Sequence, residues 1–223
     1  MFVLMHLRNA TRSDILTYMQ QNISHPKQER TLVLIKPDGI QRSLIGEIIH
    51  RYERSGLKLI GLKMVVPTPE FVERHYLVDP EWRMKVGTKT IESYRAKGKM
   101  PPANDPAQAG ELVLSYMKSY PSSSPVIAMA WRGMHAVAII RKITGGTEPL
   151  TSDVGTIRGD LTIDSYEVAD LDTRAVRNLI HASGSPEEAE KEILLWFKPE
   201  ELISYRLVQE EILYDVNLDG ILE

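Results

Sequence analysis

The stretch Arg30-Thr-Leu-Val-Leu-Ile-Lys-Pro-Asp-Gly39 decides how the rest of the chain is read. Thr31 to Ile35 form an unbroken apolar run rich in β-formers, as expected of a central strand buried on both faces. Pro37-Asp38-Gly39 then forces a turn. Beyond it, Leu44, Ile45, Ile48, Ile49 and Tyr52 recur at helical spacing, with Ser43 as the predicted N-cap and Ser55-Gly56 as the stop. A strand from Leu57 to Val66 follows, then Pro67-Thr-Pro69 and a short helix over Glu70 to Tyr76, which makes the order β-α-β-α.

Farther out the pattern is interrupted twice. Val78 to Gly110 has Lys, Gly and Pro spread through it, and Met100 to Pro106 is unsuited to regular structure, so about 78–110 is read as an insertion. Glu111 to Tyr120 resumes helical spacing, Pro125-Val-Ile-Ala-Met-Ala-Trp131 is a second buried strand, and a helix is expected over Met134 to Lys142. A polar loop runs from Gly145 to Gly159, Leu161-Thr-Ile163 is a short extended piece, and 164–176 is a second surface insertion. Ser185-Pro-Glu-Glu188 carries a capping-box pattern with proline at the first helical position. Residues 1–28 are read as an appended arm, with a short helix over Ser13 to Met19, residues 29–198 as the domain, and 199–223 as a tail.

Composition narrows the function. With 27 basic and 30 acidic residues among 223 and a net charge of −3, there is no broad electrostatic reason to expect a membrane surface or nucleic acid as partner. The absence of cysteine excludes a disulfide framework, a thiolate metal site and a cysteine nucleophile, and makes the cytoplasm the default compartment. His6 and Arg8 break the apolar opening before a signal core or membrane span is complete.

Of the six histidines, His181 alone ends an apolar run, Asn178-Leu-Ile-His181, just ahead of small residues and a strongly marked helix start. Backbone amides and the helix dipole favour an anion there, and a neutral imidazole offers a lone pair to phosphorus. A buried histidine hydrogen-bonded to the backbone fits the same spacing, and Glu192 taken alone fits a solvated helix charge.

Three motifs in one order bear on that choice: Lys36-Pro-Asp-Gly39 with Gln41-Arg42, Gly155-Thr-Ile-Arg-Gly-Asp160, and Asn178-Leu-Ile-His181-Ala-Ser-Gly-Ser185 ahead of Glu188-Ala-Glu-Lys-Glu192. Together they resemble the nucleoside diphosphate kinases, over about residues 30–77 and 108–198. The resemblance implies a ferredoxin-like α/β sandwich, a four-stranded antiparallel sheet covered by helices. It further implies transfer of a terminal phosphoryl group from nucleoside triphosphate to nucleoside diphosphate through a phosphohistidine, with Mg²⁺ delivered on the nucleotide and a homo-oligomer, a hexamer or a tetramer of dimers. A nucleotide-binding regulator of the same fold without turnover is the alternative, and a ferredoxin-like RNA-binding module a further rival that lacks an aromatic stacking strand.

Carried over by position, His181 matches the phosphoacceptor, Glu192 the carboxylate that orients it, and Ser183 a serine hydrogen-bonded near both. Lys36 and Tyr76 match the lysine and tyrosine at the transferred phosphate. Arg141, Thr147 and Arg158 match the phosphate cradle, Asn178 the sugar contact, and Val113 the wall of the base site. Three positions depart from the pattern. Ala109 stands where the family carries an aromatic that stacks on the base, with Trp82 or Tyr94 as candidate substitutes, and Ala182 and Gly184 replace a usual glycine and aspartate.

Overall fold

The computed structural model describes residues 26–216, so the arm before residue 26, with its expected helix over Ser13 to Met19, and the end of the tail lie outside the described residues. Four strands, β1 (Glu29–Ile35), β2 (Lys58–Val65), β3 (Val126–Gly133) and β4 (Ile180–Ala182), form one antiparallel sheet in the order β2-β3-β1-β4. This is the ferredoxin-like sheet. The alternation along β1 explains its apolar run: Val33 and Ile35 belong to the core on one face, Leu32 and Leu34 to the core on the other.

On the first face α2 (Ile45–Glu53) and α6 (Ala136–Thr144) cover Val33, Ile35, Met129 and Trp131 with Ile48, Tyr52 and Ile140. The Tyr52 and Trp131 ring centroids lie 5.6 Å apart in an edge-on arrangement, and the Tyr52 hydroxyl pairs with Thr144 Oγ1 at 2.7 Å, so the one polar atom of the buried Tyr52 ring is satisfied. On the second face Leu32, Leu34, Ala128 and Ala130 pack against Ile193, Trp196 and Phe197 of α9 (Pro186–Trp196) and its end. Arg30 adds a two-pronged ion pair to Glu190, tying α9 to β1. Ser185 caps α9 as its sequence predicts, accepting from the Glu188 amide at 3.2 Å.

Several local expectations change. The turn after β1 is a helical turn, α1 (Pro37–Gln41), with proline at its first position. Ser43 does not cap the next helix; it takes a left-handed φ of +56° and Leu44 occupies the cap position. The helix expected from Met134 starts at Ala136, because His135 also sits at positive φ. Of the extended piece expected over 161–163, Leu161 ends a single helical turn, α7 (Ile157–Leu161), capped by Thr156, and Thr162 after it is extended without joining the sheet. The segment 164–176 holds a short helix, α8 (Tyr166–Leu171).

The segment 78–110 is mostly helical on either side of an irregular stretch at 97–105: after α3 (Pro69–Tyr76) comes α4 (Trp82–Ala96), and α5 (Pro106–Ser122) begins at Pro106, with Asp105 capping Gln108 at 3.0 Å. The glycines that look like breakers are contact points. A Cβ on Gly87 would lie 1.8 Å from the Pro106 carbonyl oxygen, and one on Gly110 2.1 Å from the Arg83 carbonyl oxygen, so α4 and α5 meet backbone to backbone. Among the described residues no helix is long and apolar enough to cross a membrane.

Candidate active site

His181 lies on the edge strand β4, opposite Leu34 of β1. Its Nε2 is 2.9 Å from Glu192 Oε1, and Glu192 Oε2 accepts from Ser183 Oγ at 2.6 Å. Ser183 is fully buried, and its oxygen also accepts from the Leu32 amide at 3.1 Å, so β1 holds the serine that holds the glutamate. A carboxylate oxygen only accepts, which puts the imidazole proton on Nε2 and leaves Nδ1 with a free lone pair. Burial, reinforced by the Lys36 charge, pulls the His181 pKa down to about 3, so the ring is neutral at pH 7. Burial pushes Glu192 the other way, with His75 and the Ser183 hydrogen bond opposing the rise.

A second histidine stands behind the first. His75, at 2% exposure, packs its ring 4.4 Å from that of His181 at 84° and accepts a hydrogen bond from Trp196 Nε1 on Nδ1 at 3.2 Å. Its Nε2 has no hydrogen-bond partner among the described residues, and burial takes its pKa to about 3, so its 3.6 Å approach to Glu192 sets a neutral ring beside the carboxylate. Tyr76 closes this side, 4.9 Å from His75 and 6.4 Å from His181, and Trp82 lies on Tyr76 at 5.4 Å.

The opposite wall is polar. Lys36, just past β1 and 5% exposed, donates to Asn178 Oδ1 at 2.7 Å, and Asn178 Nδ2 donates to the Thr147 carbonyl at 2.8 Å. Burial, then the nearby Arg158, bring the Lys36 pKa down to about 7, against a partial lift from Asp38. Leu179, between Asn178 and Ile180, is buried at a φ of +65°, and the Ile180 amide donates back to the Asn178 carbonyl at 2.7 Å. Such a γ-turn in a branched residue costs about 1–3 kcal/mol and persists only where surroundings over-determine it. Here Asp38 Oδ2 accepts the Leu179 amide at 3.0 Å, and the Leu179 carbonyl accepts the Lys36 amide at 2.8 Å.

Arg158 is spent largely on the scaffold. Its guanidinium donates to the carbonyls of Asn178 at 3.0 Å, Gly145 at 3.1 Å, Gly146 at 2.9 Å and Ile180, which staples the loop after α6 to the strand that carries His181. Burial lowers its pKa to about 10, which leaves it charged at pH 7. Arg141, by contrast, is exposed on the last turns of α6, with no hydrogen bond to its guanidinium among the described residues, and its charge bears on His181. Thr147 is exposed at the same rim.

The structure thus brings Lys36, Tyr76, Arg158, Asn178, His181, Ser183 and Glu192 into one connected group, with Arg141 and Thr147 at its edge. Val113 is half-buried on α5, one turn from Ala109, which is fully buried and offers no aromatic face. Neither candidate substitute stands apart: Trp82 packs on Tyr76, and Tyr94 lies beside Asp170. Gly184 leaves its amide to Glu188 Oε2 at 2.9 Å, which sets a second carboxylate near His181. Sequence reasoning gave no role to His75, Asp38, Trp196 or this carboxylate of Glu188. Trp196 follows Glu192 by four residues on one helix, a spacing that puts both on one face and was the available signal.

A ferredoxin-like sheet that gathers an oriented histidine, a buried lysine and an exposed arginine at one place defines a small α/β phosphotransferase. The family model described as Nucleoside diphosphate kinase matches residues 29–84 and 107–202, passing over 85–106 and running unbroken through 164–176. A nucleoside diphosphate kinase from Pyrobaculum aerophilum is 44% identical over 179 residues, 78% of this chain and 98% of that one. The crystal structure of an NDP kinase from the same organism superposes with a TM-score of 0.76 at 41% identity, covering 79% of this chain and all of the other. A Borrelia burgdorferi nucleoside-diphosphate kinase with bound vanadate and ADP, described as a transition-state mimic, gives 0.70 at 30% identity over 85% and 99%. The chain belongs to the nucleoside diphosphate kinase family.

Proposed function

We propose that this nucleoside diphosphate kinase works through His181 in two half-reactions. Nδ1 attacks the terminal phosphorus of a nucleoside triphosphate, the N–P bond forms, the bond from that phosphorus to the bridging oxygen breaks, and the diphosphate leaves. An acceptor diphosphate oxygen then attacks the phosphohistidine and restores the neutral ring. The observation that carries this reading is the 2.9 Å contact from Nε2 to Glu192 Oε1, which holds the ring, fixes the proton on the far nitrogen and steadies the charge that develops on it. Lys36 and the free fork of Arg141 take the phosphate oxygens, Arg158 acts on them through its charge, Thr147 adds a hydroxyl, and Asn178 meets the sugar. Tyr76 lines the phosphate side, and Val113 borders the base.

His75, His181 and Glu192 are the one grouping of three metal-ligand types among the described residues, and two of the three donors are imidazoles. That set does not suit Mg²⁺, which prefers oxygen ligands, so the ion is taken to arrive as part of the nucleotide substrate. A homo-oligomer, hexamer or tetramer, fits the exposed Leu62 and Met64 on edge strand β2 and the exposed Val154 and Ile163. The cytoplasm is the proposed compartment, on the lack of cysteine.

Incubation with ATP labelled on the terminal phosphate tests the reading. Acid-labile, base-stable label that GDP discharges and that His181→Ala abolishes is the expected result. Label that persists in His181→Ala overturns it.

A further inference from the structure

The segment 164–176 is pinned more firmly than a surface loop requires. Asp164 accepts both terminal nitrogens of Arg174, at 2.6 and 3.0 Å, and the Arg177 amide at 2.6 Å, while its carbonyl accepts the Leu150 amide at 3.1 Å. Ser165 caps α8 by accepting the Val168 amide at 3.2 Å. These bonds set Tyr166, the first residue of α8, against the rim of the site. Its amide donates to Glu148 Oε1 at 2.9 Å, its hydroxyl reaches Thr147, and the Arg158 charge acts on it.

The end of α4 comes to the same place from the other side. Lys97 Nζ lies 5.6 Å from the Tyr166 ring centroid, and the Asp170 carboxylate of α8 acts on the Tyr94 hydroxyl. Glu148, a carboxylate whose charge acts on the phenol, has one oxygen on the Tyr166 amide and the other within 3.3 Å of Thr151 Oγ1. Beside Thr147 there is therefore a phenol with an ammonium over its ring, two donors suited to an anion. Burial raises the phenol's pKa, so it remains a donor throughout the neutral range.

We propose that Tyr166 is a nucleotide-binding residue, its hydroxyl donating to a phosphate oxygen of the nucleoside di- or triphosphate held beside Thr147, with Lys97 as the neighbouring cation. The assignment rests on the phosphate cradle read above. It accounts for a site that grips the phosphate arm while Ala109 offers no ring to the base, because phosphate contacts are common to every nucleotide.

The test measures Mg-ADP affinity by titration calorimetry, and kcat and KM by steady-state transfer, in the wild type, Tyr166→Phe and Lys97→Met. Loss of one hydrogen bond to a charged oxygen weakens ADP binding by about tenfold or more in Tyr166→Phe, with Tm unchanged. Lys97→Met weakens it by roughly two- to threefold, and the difference fades with added salt. Unchanged ADP affinity in Tyr166→Phe overturns the proposal, as does tighter binding, the mark of a side chain that blocks the site. The failures separate cleanly: a wild type without label on His181 defeats the phosphohistidine reading, while the ADP affinity of Tyr166→Phe still decides this proposal.

Discussion

Nucleotide binding should change the protonation of Lys36 more than that of any other group at the site. Its ammonium is buried, and burial with the Arg158 charge brings its pKa from 10.5 to about 7. A polyphosphate placed beside it favours the charged form and restores the ordinary lysine value. With those two values, binding takes up about 0.9 proton at pH 8 and about 0.5 at pH 7. The bound state holds the proton in this window, so raising the pH opposes binding: ADP affinity falls roughly eightfold between pH 7.5 and 8.5. The free protein obeys the same linkage. Its Lys36 pKa lies below that of the unfolded chain, so stability rises as pH climbs from about 7 towards 10.5, the interval in which the unfolded chain binds more protons. Calorimetric titration with Mg-ADP at pH 8, in two buffers of different ionisation enthalpy, counts the protons directly. Lys36→Met removes the group, and its uptake should drop to near zero. Equal uptake in the two proteins, or none in the wild type, refutes the assignment of Lys36 to the nucleotide phosphates.

Glu192→Gln keeps the shape of the side chain but removes the charge that holds His181 Nε2–H and Ser183 Oγ. kcat should fall by about 10²- to 10⁴-fold with KM little changed, and a kcat equal to that of the wild type would show that the ring needs no carboxylate. Gly110→Ala drives a methyl group into the Arg83 carbonyl and should cost about 1–3 kcal/mol, read as a fall in Tm of several degrees. A Tm within one degree of the wild type would mean that α4 and α5 separate without penalty.

Legibility followed the range of the interactions. The five apolar residues of β1 and the Ser185 cap of α9 were readable because burial on two faces and a single side-chain hydrogen bond leave local signatures. Gly87 and Gly110 misled for the same reason. As letters they mark flexible chain, and only their partners, Pro106 and Arg83, far along the sequence, make them contacts. At the site, the motifs picked out His181, Glu192, Lys36 and Asn178. They did not tell the guanidinium that faces solvent, Arg141, from the one committed to four carbonyls, Arg158, since that depends on where the backbone of residues 145–146 and 178–180 passes. Ser43 is not the expected cap, and the helix expected from Met134 begins two residues later, because Ser43 and His135 each adopt a left-handed φ just ahead of a helix.

The contacts of α4 with α8 bear on any attempt to rebuild this enzyme by exchanging parts. Lys97 and Tyr94 come from a helix that lies largely outside the family match, while Tyr166 and Asp170 come from a segment more than sixty residues later. Each half alone presents the other's partners to water. A chimera that receives one of these two pieces from a relative therefore inherits half of a joint, and grafts between members of this family should move both together.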